Sequence, residues 1–540
     1  MSASVPDIEK GEKHFAEPVL VTTAMTEIGV LTSPDTDRTS NLLVALHRVN
    51  DRIESLSGFE ARGITRVLPE ERHAASALAD LQIIVLWFGA NISANNMTTA
   101  LFGPLVFGLG FRDSVLCAVF GCILGCASTA YMAIWGPPSG NRTMVVLRYF
   151  MGYWPSKLPC FLNIVLMVGY NTLNLIIAGQ ILSAVSGRSM TIAVGIVVVA
   201  IVCWVVAVFG MFVFHTYERK LRRKSCFAWL CQNTALMYGA PRYAWIPQLL
   251  ALFVLIGCAG PHFDPTLEST GDTITLAANR LSFLSLCFYV PNSWAAAASD
   301  YYVYYPETTS KLKIFFLTLA GLFSSFTLVY LLGIGLASGV ASNPAWADAF
   351  AISAGSLLVA AFDGLAGFGK LCAVVVALGI IANSIPGVYS AALGVQVLGR
   401  YGKAIPRWAW TSVIMLVELV LALAGRDNLL VIFSNFLALM GYWVEIMIVI
   451  VAEEHLLFRW NRGFDWARWE DRKYLPIGIA ALIAFLLGWA GAILGMFQAW
   501  YVGPLAEKAG FSDIGLWLGC GFSLISYPPM RLVELKLIGR

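Results

Sequence analysis

The chain has 540 residues, 58% of them hydrophobic and 13% charged, with a net charge of +3. Ordinary globular proteins carry about 25% charged residues, so several soluble domains are excluded: their water-facing surfaces cannot be built from so few charges. Lipid-facing helices need almost none. The small net charge, with no basic stripe interleaved with aromatics, argues against a nucleic-acid partner.

Residues 1–75 read as a largely disordered cytoplasmic tail, with a short amphipathic piece over 41–56. No cleavable signal peptide is visible in this polar, acidic start, so the first membrane helix serves as the targeting signal. A spanning helix needs about 20 apolar residues. Twelve candidates follow, over 81–108, 113–135, 158–184, 191–214, 243–262, 279–299, 313–336, 368–396, 407–425, 428–452, 475–496 and 512–530. Together they make an all-α integral membrane domain over 76–530, and 531–540 reads as a short cytoplasmic tail.

Loop charges orient the spans. With the N-terminus inside, the inner loops carry Arg142, Arg148 and Lys157, then Lys220, Arg222, Arg223 and Lys224, then Lys311 and Lys313, then Arg400, Lys403 and Arg407, and finally Arg459, Arg462, Arg468, Arg472 and Lys473. The outer loops carry single charges, such as Arg112, Arg188 and Lys508. A miscounted helix would invert this asymmetry halfway along the chain. Both termini are therefore expected in the cytoplasm.

Three spans carry polar or helix-breaking residues at mid-membrane depth. The first holds Asn91-Ile92-Ser93-Ala94-Asn95-Asn96 and then Gly103-Pro104. The sixth holds Pro291-Asn292-Ser293-Trp294, and the eighth Asn383-Ser384-Ile385-Pro386-Gly387. Unwound backbone in a bilayer is tolerated where it lines a cavity or packs on protein; a kink or helix–helix glue accounts for such residues equally well. Four spans separate the first from the sixth. Each can therefore open one five-helix half, the arrangement of an inverted-repeat transporter with its site at the midplane.

On the third span Tyr170 and Asn174 share a face at i and i+4. A ring with an amide one turn away suits a flat heterocycle; ordinary packing explains the pair equally. Intramembrane acids are functional candidates by default, and Glu418 and Glu445 lie deepest. The eleven cysteines contain no CxxC, and those in apolar runs read as small hydrophobes, not metal ligands. No nucleophile–base set stands at membrane depth, which argues against an enzyme.

The sequence resembles the fungal purine-cytosine permeases, a branch of the first nucleobase-cation symporter family. The resemblance runs from about Phe59 to the last span. It rests on Phe59-Glu60-Ala61-Arg62-Gly63-Ile64, Pro69-Glu70-Glu71-Arg72, Leu86-Trp87-Phe88-Gly89-Ala90-Asn91, Gly136-Pro137-Pro138-Ser139-Gly140-Asn141-Arg142, Ala178-Gly179-Gln180-Ile181-Leu182-Ser183, His215-Thr216-Tyr217-Glu218-Arg219, the run from Ala298 to Pro306, and Phe436-Leu437-Ala438-Leu439-Met440-Gly441-Tyr442-Trp443. It implies a LeuT-type fold: a five-plus-five inverted repeat with discontinuous first and sixth helices, plus two C-terminal helices. It further implies proton-coupled uptake of cytosine, adenine, guanine or hypoxanthine at the plasma membrane, with no cofactor beyond the coupling cation.

By the same resemblance, Tyr170 and Trp294 pinch the base while Asn174 and Asn383 read its edge. Ser93, Asn96, Ser384 and Pro386 complete the expected site, and Glu418 and Glu445 are the proton-coupling candidates. Tyr170 stands where the family often has Trp. The chain departs from the family at about 22 residues from Lys220, a basic insert expected in a cytoplasmic loop: either a lineage-specific loop or a translated intron. Other readings are a transporter for another heterocycle, such as a vitamin or a uracil-like compound, and a non-transporting nutrient receptor.

Overall fold

The computed structural model describes residues 63–72, 76–220, 245–399, 401–402, 405–460 and 463–540. The amphipathic piece at 41–56 and the insert beyond Lys220 lie outside the described residues.

Every expected span coincides with a helix. The first is a bent pair, Ala77–Asn91 and Ala94–Leu105, which meet at 57°. The second to fifth are Phe111–Ala133, Lys157–Val185, Ile192–Lys220 and Trp245–Ala259. The sixth is Thr273–Ser293 continued by a 3-10 stretch, Trp294–Tyr301. The seventh to tenth are Lys311–Val340, Ala366–Leu398, Arg407–Gly425 and Leu429–Glu453. The last two are Ile479–Gly495 and Gly515–Ile538. Eight described helices are by themselves long and apolar enough to cross a bilayer, and the bent pair adds a ninth. Large apolar side chains such as Leu416, Val420, Ile525 and Leu537 stay exposed on their flanks, as a lipid-facing surface requires. The chain is a multi-pass membrane protein.

Packing divides the spans into groups. The first packs along the seventh, and the second along the sixth and seventh. The third packs against the fourth, eighth and ninth, and the fourth also against the eighth and ninth. The first and second spans thus partner the sixth and seventh, and the third and fourth partner the eighth and ninth. The last two spans pack on each other and on the tenth. Small residues set the closest approaches. A Cβ on Gly121 or Gly125 of the second span would lie 2.4 Å from the sixth-span carbonyl of Leu284 or Phe288.

At one end of the bundle, three of the quoted motifs dock together. The Val67 amide donates to the Gly140 carbonyl at 2.9 Å, Arg66 to Ser139 O at 2.8 Å, and Arg72 to Pro137 O. Asp300 accepts from the Thr143 amide at 2.7 Å and lies 3.8 Å from Arg142. These contacts clamp residues 66–72, ahead of the first span, to the loop after the second span, and that loop to the end of the sixth.

The sixth span is discontinuous, as expected: its α-helix ends at Ser293 and a 3-10 stretch follows. Two expectations need correction. The eighth span is one unbroken helix, with Pro386 inside it. The expected tail at 531–540 is mostly helix, because Arg531 and Glu534 are buried partners. Two short helices between the seventh and eighth spans, Pro344–Ile352 and Ala354–Ala360, were not expected from the sequence.

Candidate substrate site

The break in the first span begins with Asn91. Its Nδ2 bonds back to the Trp87 carbonyl at 2.9 Å, a local alternative to the helix ladder. Ile92 then leaves the helical region and Ser93 is extended. Three carbonyls are released, and each is answered by a side-chain amide. Asn383 Nδ2 donates to Ala90 O at 2.6 Å, Asn96 Nδ2 to Asn91 O at 2.9 Å, and Gln248 Nε2 to Ile92 O at 2.6 Å. Unsatisfied carbonyls in the bilayer cost several kcal/mol each. The polar residues of the first, fifth and eighth spans thus make the break possible.

The sixth span follows the same rule. Pro291 cannot donate to the carbonyl four residues earlier. That carbonyl, of Cys287, accepts instead from Tyr330 OH at 3.2 Å. Thr129 Oγ1 donates to Pro291 O at 2.7 Å, and Ser128 Oγ to Asn292 Oδ1 at 2.7 Å. The indole of Trp294 joins the two irregular segments, donating from Nε1 to Asn91 Oδ1 at 2.8 Å. Its ring meets Trp87 edge-on at 5.7 Å.

A cavity lies among these elements. The first span lines it with Asn95 and Asn96, and the third with Met167, Tyr170, Asn171 and Asn174. The sixth contributes Val290, Ser293 and Trp294, and the eighth Asn383 and Gly387. It offers about 30 Å³ of room for water centres, enough for a couple of waters. A heterocycle needs more room than this, so wall side chains must move outward to admit one.

The amide orientations follow from donor and acceptor chemistry. A backbone carbonyl can only accept. Asn383 must therefore turn Nδ2 toward Ala90 O and Oδ1 toward Asn174. Asn174 in turn presents Nδ2, which donates to Asn383 Oδ1 at 3.2 Å and to Ser384 Oγ at 3.0 Å. Asn174 Oδ1 is left buried without a partner, as is Asn95 Oδ1. A buried unsatisfied polar atom costs about 1–3 kcal/mol. Donors on a ligand would relieve that cost.

Of the residues expected from the sequence, Asn96, Tyr170, Asn174, Trp294 and Asn383 line this one cavity. Ser384 supports it through Asn174. Ser93 and Pro386 do not line it; Ser93 sits in the break with its hydroxyl unpartnered. Glu418 lies one residue behind the wall, its Oε1 accepting from Asn171 Nδ2 at 3.0 Å. Glu445 touches no cavity residue by hydrogen bond, and its Oε2 is unpartnered. Met167, Asn171 and Val290 were not read from the sequence, and Ser293 and Gly387 were read only as members of the helix-breaking runs. Asn171 follows Tyr170 and so falls off the Tyr170–Asn174 face, while Asn95 was legible only as part of the polar run at the break.

A cavity walled by interrupted helices and spare amide oxygens, inside a multi-pass bundle, defines a membrane carrier for small polar solutes. The chain belongs to the family of permeases for cytosine/purines, uracil, thiamine and allantoin, whose model matches residues 68–519. It is a transporter, not an enzyme. Among its relatives is a vitamin B6 transporter of Saccharomyces cerevisiae, 32% identical over 565 residues, covering 94% of this chain and 93% of the relative. Another is the purine-cytosine permease fcyB of Emericella nidulans, 33% identical over 494 residues, covering 91% of each chain. The solved structure of Mhp1, a nucleobase-cation-symport-1 family transporter in a closed conformation with bromovinylhydantoin bound, matches with a TM-score of 0.59 at 12% identity, covering 89% of this chain and 96% of that one. At that identity the match establishes the fold alone.

Proposed function

We propose that the protein carries purine bases and cytosine into the cell by proton symport at the plasma membrane, with both termini cytoplasmic. The observation that carries the substrate reading is the fixed polarity of the Asn383–Asn174 chain. It leaves an acceptor at Asn174 Oδ1, and a second lies at Asn95 Oδ1. Cytosine, adenine and guanine carry an exocyclic amino group that donates two hydrogens to such acceptors. In this reading Trp294 and Tyr170 cover the faces of the base, and Asn174, Asn383 and Ser384 hold its edge. Asn96 and Ser93 keep the break open as a cradle, and Pro386 shapes the eighth span beside it. The basic inner loops support the orientation.

One observation favours a second substrate. The vitamin B6 transporter matches along nearly the whole chain, and Tyr170 brings a hydroxyl to the cavity wall. A hydroxylated pyridine could bond to that hydroxyl and the amide acceptors together. Uptake of radiolabelled cytosine, adenine and pyridoxine, in cells lacking their own permeases, decides between them. Saturable cytosine and adenine uptake, each competed by the other and not by pyridoxine, is the expected result. Uptake of pyridoxine alone would overturn the nucleobase reading.

A further inference from the structure

We infer that Glu418 is the proton-binding group of this carrier and that Asn171 conveys its protonation state to the cavity wall. The inference deepens the transport reading above and rests on it only for the direction of coupling. Glu418, in the ninth span, is fully buried. Its Oε1 accepts one hydrogen bond, from Asn171 Nδ2 at 3.0 Å, and its Oε2 has no partner.

No Lys, Arg or His pairs with this carboxyl among the described residues, and its titratable neighbour there is the Cys203 thiol of the fourth span. A buried carboxylate with neither a counter-ion nor a second hydrogen bond is strongly disfavoured. A proton on Oε2 removes the charge. Glu418 therefore holds a proton in this state and must meet water, or lose that burial, to release it.

What separates Glu418 from other buried acids is its link to the substrate site. Asn171 lines the cavity, and its Oδ1 lies against Gly387 of the eighth span, where a Cβ would come within 2.7 Å. Asn171 is thus held between the acid on one side and the eighth-span wall on the other. Loss of the proton converts a neutral acceptor into a charged one, which draws the Asn171 amide more strongly. The position of the third span against Gly387 then depends on whether Glu418 is protonated. Glu445 lacks this link: no hydrogen bond ties it to a cavity residue among the described residues.

Two measurements on the full-length protein test this. In infrared spectra of the purified protein in lipid nanodiscs, a protonated-carboxyl C=O band should be present at neutral pH. The difference spectrum of wild type minus Glu418→Gln should contain one such band, which Asn171→Ala shifts and Glu445→Gln leaves in place; other buried acids contribute bands of their own. Absence of any C=O difference between wild type and Glu418→Gln overturns the assignment, and this readout holds even if none of the assayed solutes is carried.

In proteoliposomes, with radiolabelled cytosine or pyridoxine, whichever the wild type carries, Glu418→Gln should keep counterflow exchange. It should lose accumulation driven by an inward proton gradient and show uptake independent of pH. Glu418→Asp keeps a titratable group and should retain accumulation with a displaced pH profile. Gradient-driven accumulation by Glu418→Gln at the wild-type level would overturn the proposal. A wild type that exchanges none of the solutes would instead overturn the substrate reading.

Discussion

Two buried polar regions of this bundle obey the same energetics and end differently. At the end of the tenth and twelfth spans, Arg531 donates to both oxygens of Glu454 at 2.9 Å and to Glu534 at 3.2 Å. Tyr527 adds a bond to Glu454 at 2.8 Å, and Arg459 another at 2.8 Å. Glu534 accepts from the Gly478 and Ile479 amides, which start the eleventh span. None of the buried side-chain atoms of Glu454, Tyr527, Arg531 and Glu534 lacks a partner. At the cavity, by contrast, Asn95 Oδ1, Asn174 Oδ1 and, one residue behind, Glu418 Oε2 all do. The first network fastens helices; the second leaves acceptors that a ligand or a proton can complete. At these two places the count of partners differs although burial does not.

The largest effect should come from breaking the satisfied network. Removing one member of a buried pair leaves an uncompensated charge and costs about 3–5 kcal/mol. Arg531→Ala should therefore fail to reach the cell surface, as read by surface biotinylation and fluorescence-detected size exclusion. The double change Glu454→Gln with Arg531→Met removes both charges and should recover much of the surface protein. Wild-type surface levels for Arg531→Ala alone would mean that the network is not what holds the last two spans.

At the cavity the expected losses are in transport, with surface protein retained. Asn383→Ala removes both the answer to the Ala90 carbonyl and the partner that orients Asn174. Two lost bonds at about 1–3 kcal/mol each lower uptake by roughly a hundredfold or more. Asn174→Ala removes the amide that carries the free acceptor and leaves Asn383 Oδ1 without its closest donor; it should lower uptake by about tenfold or more. Wild-type initial rates in either variant would remove that residue from the site.

The sequence made one half of this comparison readable and hid the other. Asn91 to Asn96 is so polar for a span that the break was plain, and its relation to the Pro291 region suggested the repeat. The answering groups were not readable, since Gln248 and Tyr330 lie far along the chain and look like ordinary polar residues in apolar helices. Asn383 next to Ser384 and Pro386 read as a third break. Its polarity serves the first span instead, and an intact helix carries it. Arg531 and Glu534 read as a tail because hydropathy counts charges singly and cannot see that they neutralise one another. Asn171 was passed over because spacing arguments follow one helix face, whereas a cavity wraps around part of the next.

The smallest effect, and the one that sharpens the comparison most, concerns Trp294, which both fastens the fold and faces the cavity. Its Nε1 bond to Asn91 is a structural tie of the satisfied kind, whereas its ring is part of the open wall. Phenylalanine keeps an aromatic face and deletes the tie, at about 0.5–1.5 kcal/mol for one hydrogen bond. Trp294→Phe should therefore raise the apparent KM by roughly two- to tenfold. Alanine also deletes the face on which a base stacks, worth about 1–3 kcal/mol more, so Trp294→Ala should raise KM by at least a further five- to tenfold or so. Both are read from concentration-dependent uptake normalised to surface protein. If the two variants have the same KM, the indole acts only through its bond to Asn91, and Trp294 belongs with the fastened region and not with the site.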